Sequence, residues 1–212
     1  MPAAAVTPFE PRKMPVQARS TVTVEAISEA TIQVLLTHGS DRLTTTRVAE
    51  RAGVSVGTLY QYFPNKAALL FAVIQDHLEA VADHVEAACE RAHNKPLEHM
   101  MREMVEAYVN VKMERADISV ALYNVAQDVG GSILIKRVML RLRKAIEAML
   151  QTAPDVEVQP DRFAIEMMLA AMSGAMRSVL EAGGSAAMMR TLREHFVLLC
   201  QSYMGAISAR RK

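Results

Sequence analysis

Apolar residues in this chain return at intervals of three and four from Val24 almost to the C-terminus, and they nowhere alternate long enough to suggest a half-buried strand. That regularity points to an all-α fold of about nine helices. The first stripe, Val24, Ile27, Ala30, Val34 and Leu35, stops at Gly39. Short helices are expected over 44–52, closed by Gly53, and over 55–63, closed by Pro64, which disfavours helical backbone in the residue before it. Asn65 is a good cap for a long helix reaching Arg91, and Pro96 fits the first turn of the next. Further helices follow over 117–128, from Ser132 through Met149, over 161–182 and from Ser185 to about Ser208. SILIKRV alone resembles a strand, but its continuation through Leu142, Ile146 and Met149 restores helical spacing.

Residues 49–66, AERAGVSVGTLYQYFPNK, crowd Gly53, Gly57, Pro64, Tyr60, Tyr62 and Phe63 into one short stretch. Two helices meeting at a sharp turn need a small residue at the crossing, one tolerant of positive φ at the bend and an apolar anchor beyond it. Ala49, Gly53 and Leu59 supply these in order. Ser55 can cap the second helix, leaving Ser55, Val56, Gly57, Thr58, Tyr60 and Gln61 outward while Leu59 and Phe63 point in. Such a helix suits a DNA major groove, with Thr58 and Gln61 at base edges and Tyr60 and Tyr62 at phosphates. Lys66, with the free N–H groups and dipole of the helix starting there, makes a phosphate site, and Thr44, Thr45, Thr46 and Arg47 flank the other side. Glycine-joined helix pairs also occur in many helical proteins, and Tyr60, Tyr62 and Phe63 can equally serve as core.

The chain is nearly neutral, at +1 overall, which excludes a polybasic protein. Up to Lys66, however, seven basic residues face five acidic ones, against 17 and 18 in the remainder, so a nucleic-acid face belongs at the N-terminal end. Residues 1–18, with four prolines, read as a flexible arm, and Arg12, Lys13 and Arg19 lend this end mobile positive charge. Two distant cysteines, Cys89 and Cys200, with no signal peptide, suggest a cytoplasmic setting. No apolar run approaches the roughly 18 residues of a membrane span, so no membrane partner is expected.

The segment LTTTRVAERAGVSVGTLYQYFPNKAALL resembles the DNA-binding module of the tetracycline-repressor (TetR) family of bacterial transcription regulators. The likeness runs without gaps from about Ala18 to Ile74, through Thr44, Ala49, Ala52, Gly53, Val54, Ser55, Thr58, Leu59, Tyr60, Tyr62, Phe63, Lys66 and Leu69. Arg47 and Val48 stand where many relatives carry Asp and Ile. The resemblance implies a helix-turn-helix domain over 19–66, a helical ligand-binding and dimerisation domain over 67–212, and repression of a double-stranded operator relieved by a small molecule. It also implies a homodimer built on the last two long helices.

Thirteen of the fifteen methionines lie from Met100 onward. Such flexible, polarizable side chains fill core gaps or line pockets that accept varied apolar shapes, so a hydrophobic effector is expected. Met104, Tyr108, Tyr123, Met139 and Met168 are the pocket candidates, with helical core the competing role. Ala170, Gly174 and Ser178 recur every four residues and permit close helix approach, either within one subunit or in the dimer; Ala171, Ala175, Leu192, Phe196 and Leu199 would widen a dimer contact.

No nucleophile elbow, phosphate loop or carboxylate pair is in register for catalysis, so no enzyme, catalytic residue or cofactor is expected. His77 and His84, seven apart, are too distant for one metal, and Cys89 with His93 lacks further ligands. Arg141, Arg143 and Lys144 form either an acid-binding cluster or a solvent face. The expected function is a homodimeric, sequence-specific repressor released by a small hydrophobic effector. An activator, or a helical binding protein or enzyme with an unused DNA-binding module, is the alternative.

Overall fold

The computed structural model describes residues 18–157 and 162–210, so the expected arm lies outside it apart from Ala18. Among the described residues there are nine helices: α1 Ala18–Arg42, α2 Thr45–Ala52, α3 Val56–Tyr62, α4 Lys66–Arg91, α5 Leu97–Glu114, α6 Ala116–Val125, α7 Gly131–Leu150, α8 Arg162–Glu181 and α9 Ala186–Ile207. The all-α expectation holds with one addition. Val156–Glu157 (β1) and Ala209–Arg210 (β2) pair antiparallel, a two-residue ladder too short to leave a period in the sequence.

Two compact units are present. Of the described residues, one unit takes Ala18 to His77 together with Asp117–Leu134, and the other takes Leu78–Ala116 together with those from Ile135 to Arg210. The boundary expected after residue 66 falls at the first residue of α4, whereas the units divide further along that helix and α6 goes with the first.

In the first unit, α1 is interrupted at Gly39, whose φ of 74° breaks the helical run. Ile27, Val34 and Leu35 of α1, Val48 and Ala49 of α2, and Leu59 and Phe63 around α3 are all buried. Thr31, also buried, donates its hydroxyl to the Ile27 carbonyl at 2.7 Å, so the one polar group in this stripe is satisfied inside its own helix. Arg51 of α2 reaches back to α1, its Nε donating to Gln33 Oε1 at 2.6 Å.

In the second unit, Pro96 occupies the cap position of α5 rather than its first turn. It has no side-chain acceptor, and the Asp155 carboxylate takes over, accepting the Leu97 N–H at 3.0 Å. A row of ions joins α4 to α7: Arg137 pairs with Glu79 at 2.5 Å, and Arg141 with Asp83 and Glu86 at 2.6 Å each. Arg143 pairs with Glu147 on its own helix. The cationic cluster noted in the sequence is thus largely engaged by acids of the same unit. Helix α8 is long and apolar enough, at a mean hydropathy of 1.3, to cross a membrane by length and composition, which corrects the expectation that no segment approaches that limit. Its apolar side chains Ile165, Met168, Met172 and Met176 are nonetheless buried in the unit.

Candidate functional site

Three caps fix the geometry of α2 and α3. Thr44 Oγ1 accepts the Arg47 N–H at 3.3 Å and starts α2. At the other end Gly53 turns left-handed, with φ 69° and ψ 27°, while its own N–H and that of Val54 return to the Glu50 and Ala49 carbonyls at 3.2 and 3.0 Å. No atom crowds the place where a Cβ would stand, so the backbone angle alone is what calls for glycine there. Ser55 Oγ then accepts the Thr58 N–H at 2.9 Å and opens α3. After Pro64, Asn65 Oδ1 accepts the Ala68 N–H at 2.8 Å and opens α4.

These caps turn Leu59 and Phe63 into the core and leave Ser55, Val56, Gly57, Tyr60 and Gln61 on the surface, with Thr58 and Tyr62 half-buried. Thr44 and Arg47 are exposed beside them, and Thr45 and Lys66 half-buried. Several of these polar groups already hold one another. Tyr60 Oη lies 3.1 Å from Thr45 Oγ1, which ties α3 to α2, and Thr58 Oγ1 lies 2.8 Å from Ser55 Oγ. Arg47 donates one guanidinium nitrogen to the Arg42 carbonyl at 2.7 Å, and Lys66 donates to the Ser40 carbonyl. Hydroxyls keep lone pairs and the cations keep further donors, so each partner orients a side chain without exhausting it. The Arg42 and Ser40 carbonyls that steady the two cations are main-chain groups, and residue type carries no sign of them.

The other candidates lie on other helices. Met104, Tyr108 and Met168 are buried in the second unit and Met139 is half-buried there, while Tyr123 is half-buried on α6 of the first unit. The Tyr108 ring faces Phe196 with centroids 6.4 Å apart. Of the expected dimer face, Ala170, Ala171, Gly174, Ser178 and Leu199 are exposed, and Ala175 and Leu192 half-buried. Phe196 is a correction. It is buried because its spacing places it on the inner stripe with Met189, Cys200 and Met204.

Sequence reasoning missed the apolar side chains that continue this surface. Phe163 is 66% exposed and Met167 49% on α8, and Leu198 is 59% exposed on α9. Leu198 and Leu199 line, with His195, Ser202 and Tyr203, an open depression of about 480 Å³. The spacing of three and four from His195 to Ser202 was a readable signal of a second α9 face.

Among the described residues, no group of three or more His, Cys, Asp or Glu stands close enough to hold a metal ion. His77 Nε2 lies 3.0 Å from Ser119 Oγ, and His84 Nδ1 lies 2.7 Å from the Ala80 carbonyl oxygen. Burial pushes the Cys89 and Cys200 thiols up to about 12, so neither supplies a thiolate near neutral pH.

A capped helix-turn-helix in one unit, together with a second, helical unit in the same chain, is the architecture of a DNA-binding transcription regulator. The family described as "Bacterial regulatory proteins, tetR family" matches residues 27–73, and "Tetracyclin repressor-like, C-terminal domain" matches residues 96–204, about half of the chain. The chain belongs to the TetR family. Among solved structures it resembles a chain assigned to that family from Mesorhizobium loti, with 17% identity, a TM-score of 0.73 and coverage of 91% of this chain and 100% of the other. It also resembles the fatty acid degradation regulator FadR from Bacillus halodurans, with 18% identity, TM-score 0.68 and coverage of 90% and 97%. SmeT, the repressor of the Stenotrophomonas maltophilia multidrug efflux pump SmeDEF, follows with 17% identity, TM-score 0.64 and coverage of 88% and 92%. No curated protein matches.

Proposed function

We propose that the protein is a homodimeric repressor that leaves its operator when a small apolar effector binds. In this reading residues 19–66 contact DNA and 67–212 bind the effector and form the dimer. Thr58 and Gln61 read bases, Ser55, Val56 and Gly57 allow close approach, and Thr44, Thr45, Arg47, Tyr60, Tyr62 and Lys66 hold phosphates. Two α3 helices, one per subunit, enter successive major grooves about 34–36 Å apart.

The observation that carries this reading is the apolar surface on α8 and α9, where Phe163, Met167, Leu198 and Leu199 are exposed beside the small residues Ala170, Ala171, Gly174 and Ser178. A second copy laid on this face buries it and supplies the second recognition helix. The effector occupies the sulfur-rich interior of the second unit near Met104, Tyr108 and Met168, with Met139 contributing, and favours a conformer whose recognition helices no longer match the operator spacing. SmeT's role as a repressor makes repression the first sign to test.

Light scattering on the full chain tests the assembly. The wild type is expected at twice the 23.3 kDa chain mass, and a Leu198→Glu/Leu199→Glu variant at the chain mass with unchanged helicity. A monomeric wild type would overturn the reading.

A further inference from the structure

Two cations flank α3 in the chain, Arg47 near the start of α2 and Lys66 at the start of α4, and both lean on the last turn of α1, beyond Gly39. One guanidinium nitrogen of Arg47 donates to the Arg42 carbonyl at 2.7 Å, and the Lys66 ammonium donates to the Ser40 carbonyl. The acceptors are near neighbours in the chain, although the donors belong to different helices. Among the described residues neither cation forms an ion pair, whereas Arg137, Arg141 and Arg143 of the second unit are each held by a carboxylate. A carboxylate neutralises the cation it holds. A neutral carbonyl orients it and leaves its charge and remaining donors for a phosphate.

The turn that carries both carbonyls owes its direction to Gly39. Its φ of 74° and ψ of 171° lie in a region essentially closed to L side chains. Nothing crowds the place of a Cβ, so the backbone angle is the whole requirement for glycine. Beyond it, the Leu43 N–H donates to the Ser40 carbonyl at 3.2 Å and the Leu43 side chain is buried, which pins residues 40–43 against the core. The Ser40 carbonyl therefore accepts from Leu43 and Lys66 together, one on each lone pair. A helix that ran on unbroken through residue 39 would point these carbonyls along its own axis instead.

We infer that Gly39 is a positioning residue for the DNA contact: its positive-φ turn aims the Ser40 and Arg42 carbonyls so that Lys66 and Arg47 meet phosphates already ordered. This rests on the DNA-binding face proposed above. Long cationic side chains that are ordered in the free protein lower the ordering cost of binding. Because phosphate contacts carry no base information, the effect falls on affinity and leaves sequence preference alone.

Fluorescence anisotropy of the full chain at low salt, about 50 mM, where phosphate contacts contribute most, tests it. The probes are a fragment that wild type selects from its host's genome and a scrambled version of that fragment. Gly39→Ala is expected to bind both about tenfold more weakly than wild type, with the ratio between them unchanged. Added to an Arg47→Met/Lys66→Met variant, the same substitution should change affinity by less than about twofold, because the groups it acts through are gone. Undiminished binding by Gly39→Ala, a lowered ratio, or an effect of equal size in both backgrounds, as unfolding of the module would give, overturns the role of Gly39 and leaves the DNA face standing. A wild type that selects no fragment overturns that face, and the role of Gly39 with it.

Discussion

In α2 and α3 the candidate interface is polar and already internally bonded: Thr45 with Tyr60, Ser55 with Thr58, Arg47 with the Arg42 carbonyl, Lys66 with the Ser40 carbonyl. In α8 and α9 the exposed face is apolar or small, with Phe163, Met167, Leu198 and Leu199 turned to solvent. The first arrangement suits a ligand whose shape hardly varies, since fixing donors and acceptors in advance lowers the ordering cost of meeting a duplex. The second gains its free energy by removing apolar area from water and needs a partner with a matching apolar face. Two short helices can be that rigid only because caps at Thr44, Gly53 and Ser55 replace the length they lack.

If this contrast is sound, the sharpest way to break the N-terminal side is through its core. Phe63→Ala should cost about 3–5 kcal/mol, read by chemical denaturation, with protection from hydrogen exchange lost first around α2 and α3. A loss below about 1 kcal/mol would show that the caps, not the core, hold the module.

The interior of the second unit is predicted to behave oppositely at Lys112. Its folded pKa is lowered from 10.5 to about 8, so the unfolded chain binds more protons across that window and stability rises with pH through it. Lys112→Met should therefore gain in stability relative to wild type most below about pH 8, with the difference shrinking as pH rises from about 8 to about 10.5. Thermal melts of both proteins across that range check the sign; a difference that does not change with pH, or that grows as pH rises, would contradict it.

Smaller effects should come from the turn and its caps. Gly53→Ala imposes an L side chain on a left-handed backbone and should cost about 1–2 kcal/mol. Ser55→Ala removes one cap acceptor and should cost about 1 kcal/mol, by urea denaturation. A much larger loss for Ser55→Ala would mean that its contact with Thr58 steadies more than one turn.

How far the molecule was legible follows the same division. Gly53, Ser55 and Asn65 were readable because a cap acts within a few residues along the chain, and residue type almost determines it, whereas Thr44, read as the first helical residue, is the cap of α2. The inner face of α3 followed from Leu59 and Phe63 for the same reason. Phe196 was misplaced because α9 carries two apolar stripes, and periodicity alone does not say which one the chain itself covers. Pro96 was placed one position late because its helix is capped by Asp155, 58 residues away, a contact no local pattern encodes. Lys112 passed unremarked since one lysine in a helical stripe ordinarily extends its head to water.

The central claim is that the face built by α2 and α3 reads a DNA sequence. Fluorescence anisotropy tests it most directly, using a fragment that wild-type protein selects from its own host's genome. The account predicts selective binding that Tyr60→Ala and Lys66→Ala each weaken on all fragments, while Thr58→Ala chiefly lowers the preference for the selected one and all three variants keep the wild-type mass. Failure to select any fragment, or binding that all three substitutions leave unchanged, would contradict it.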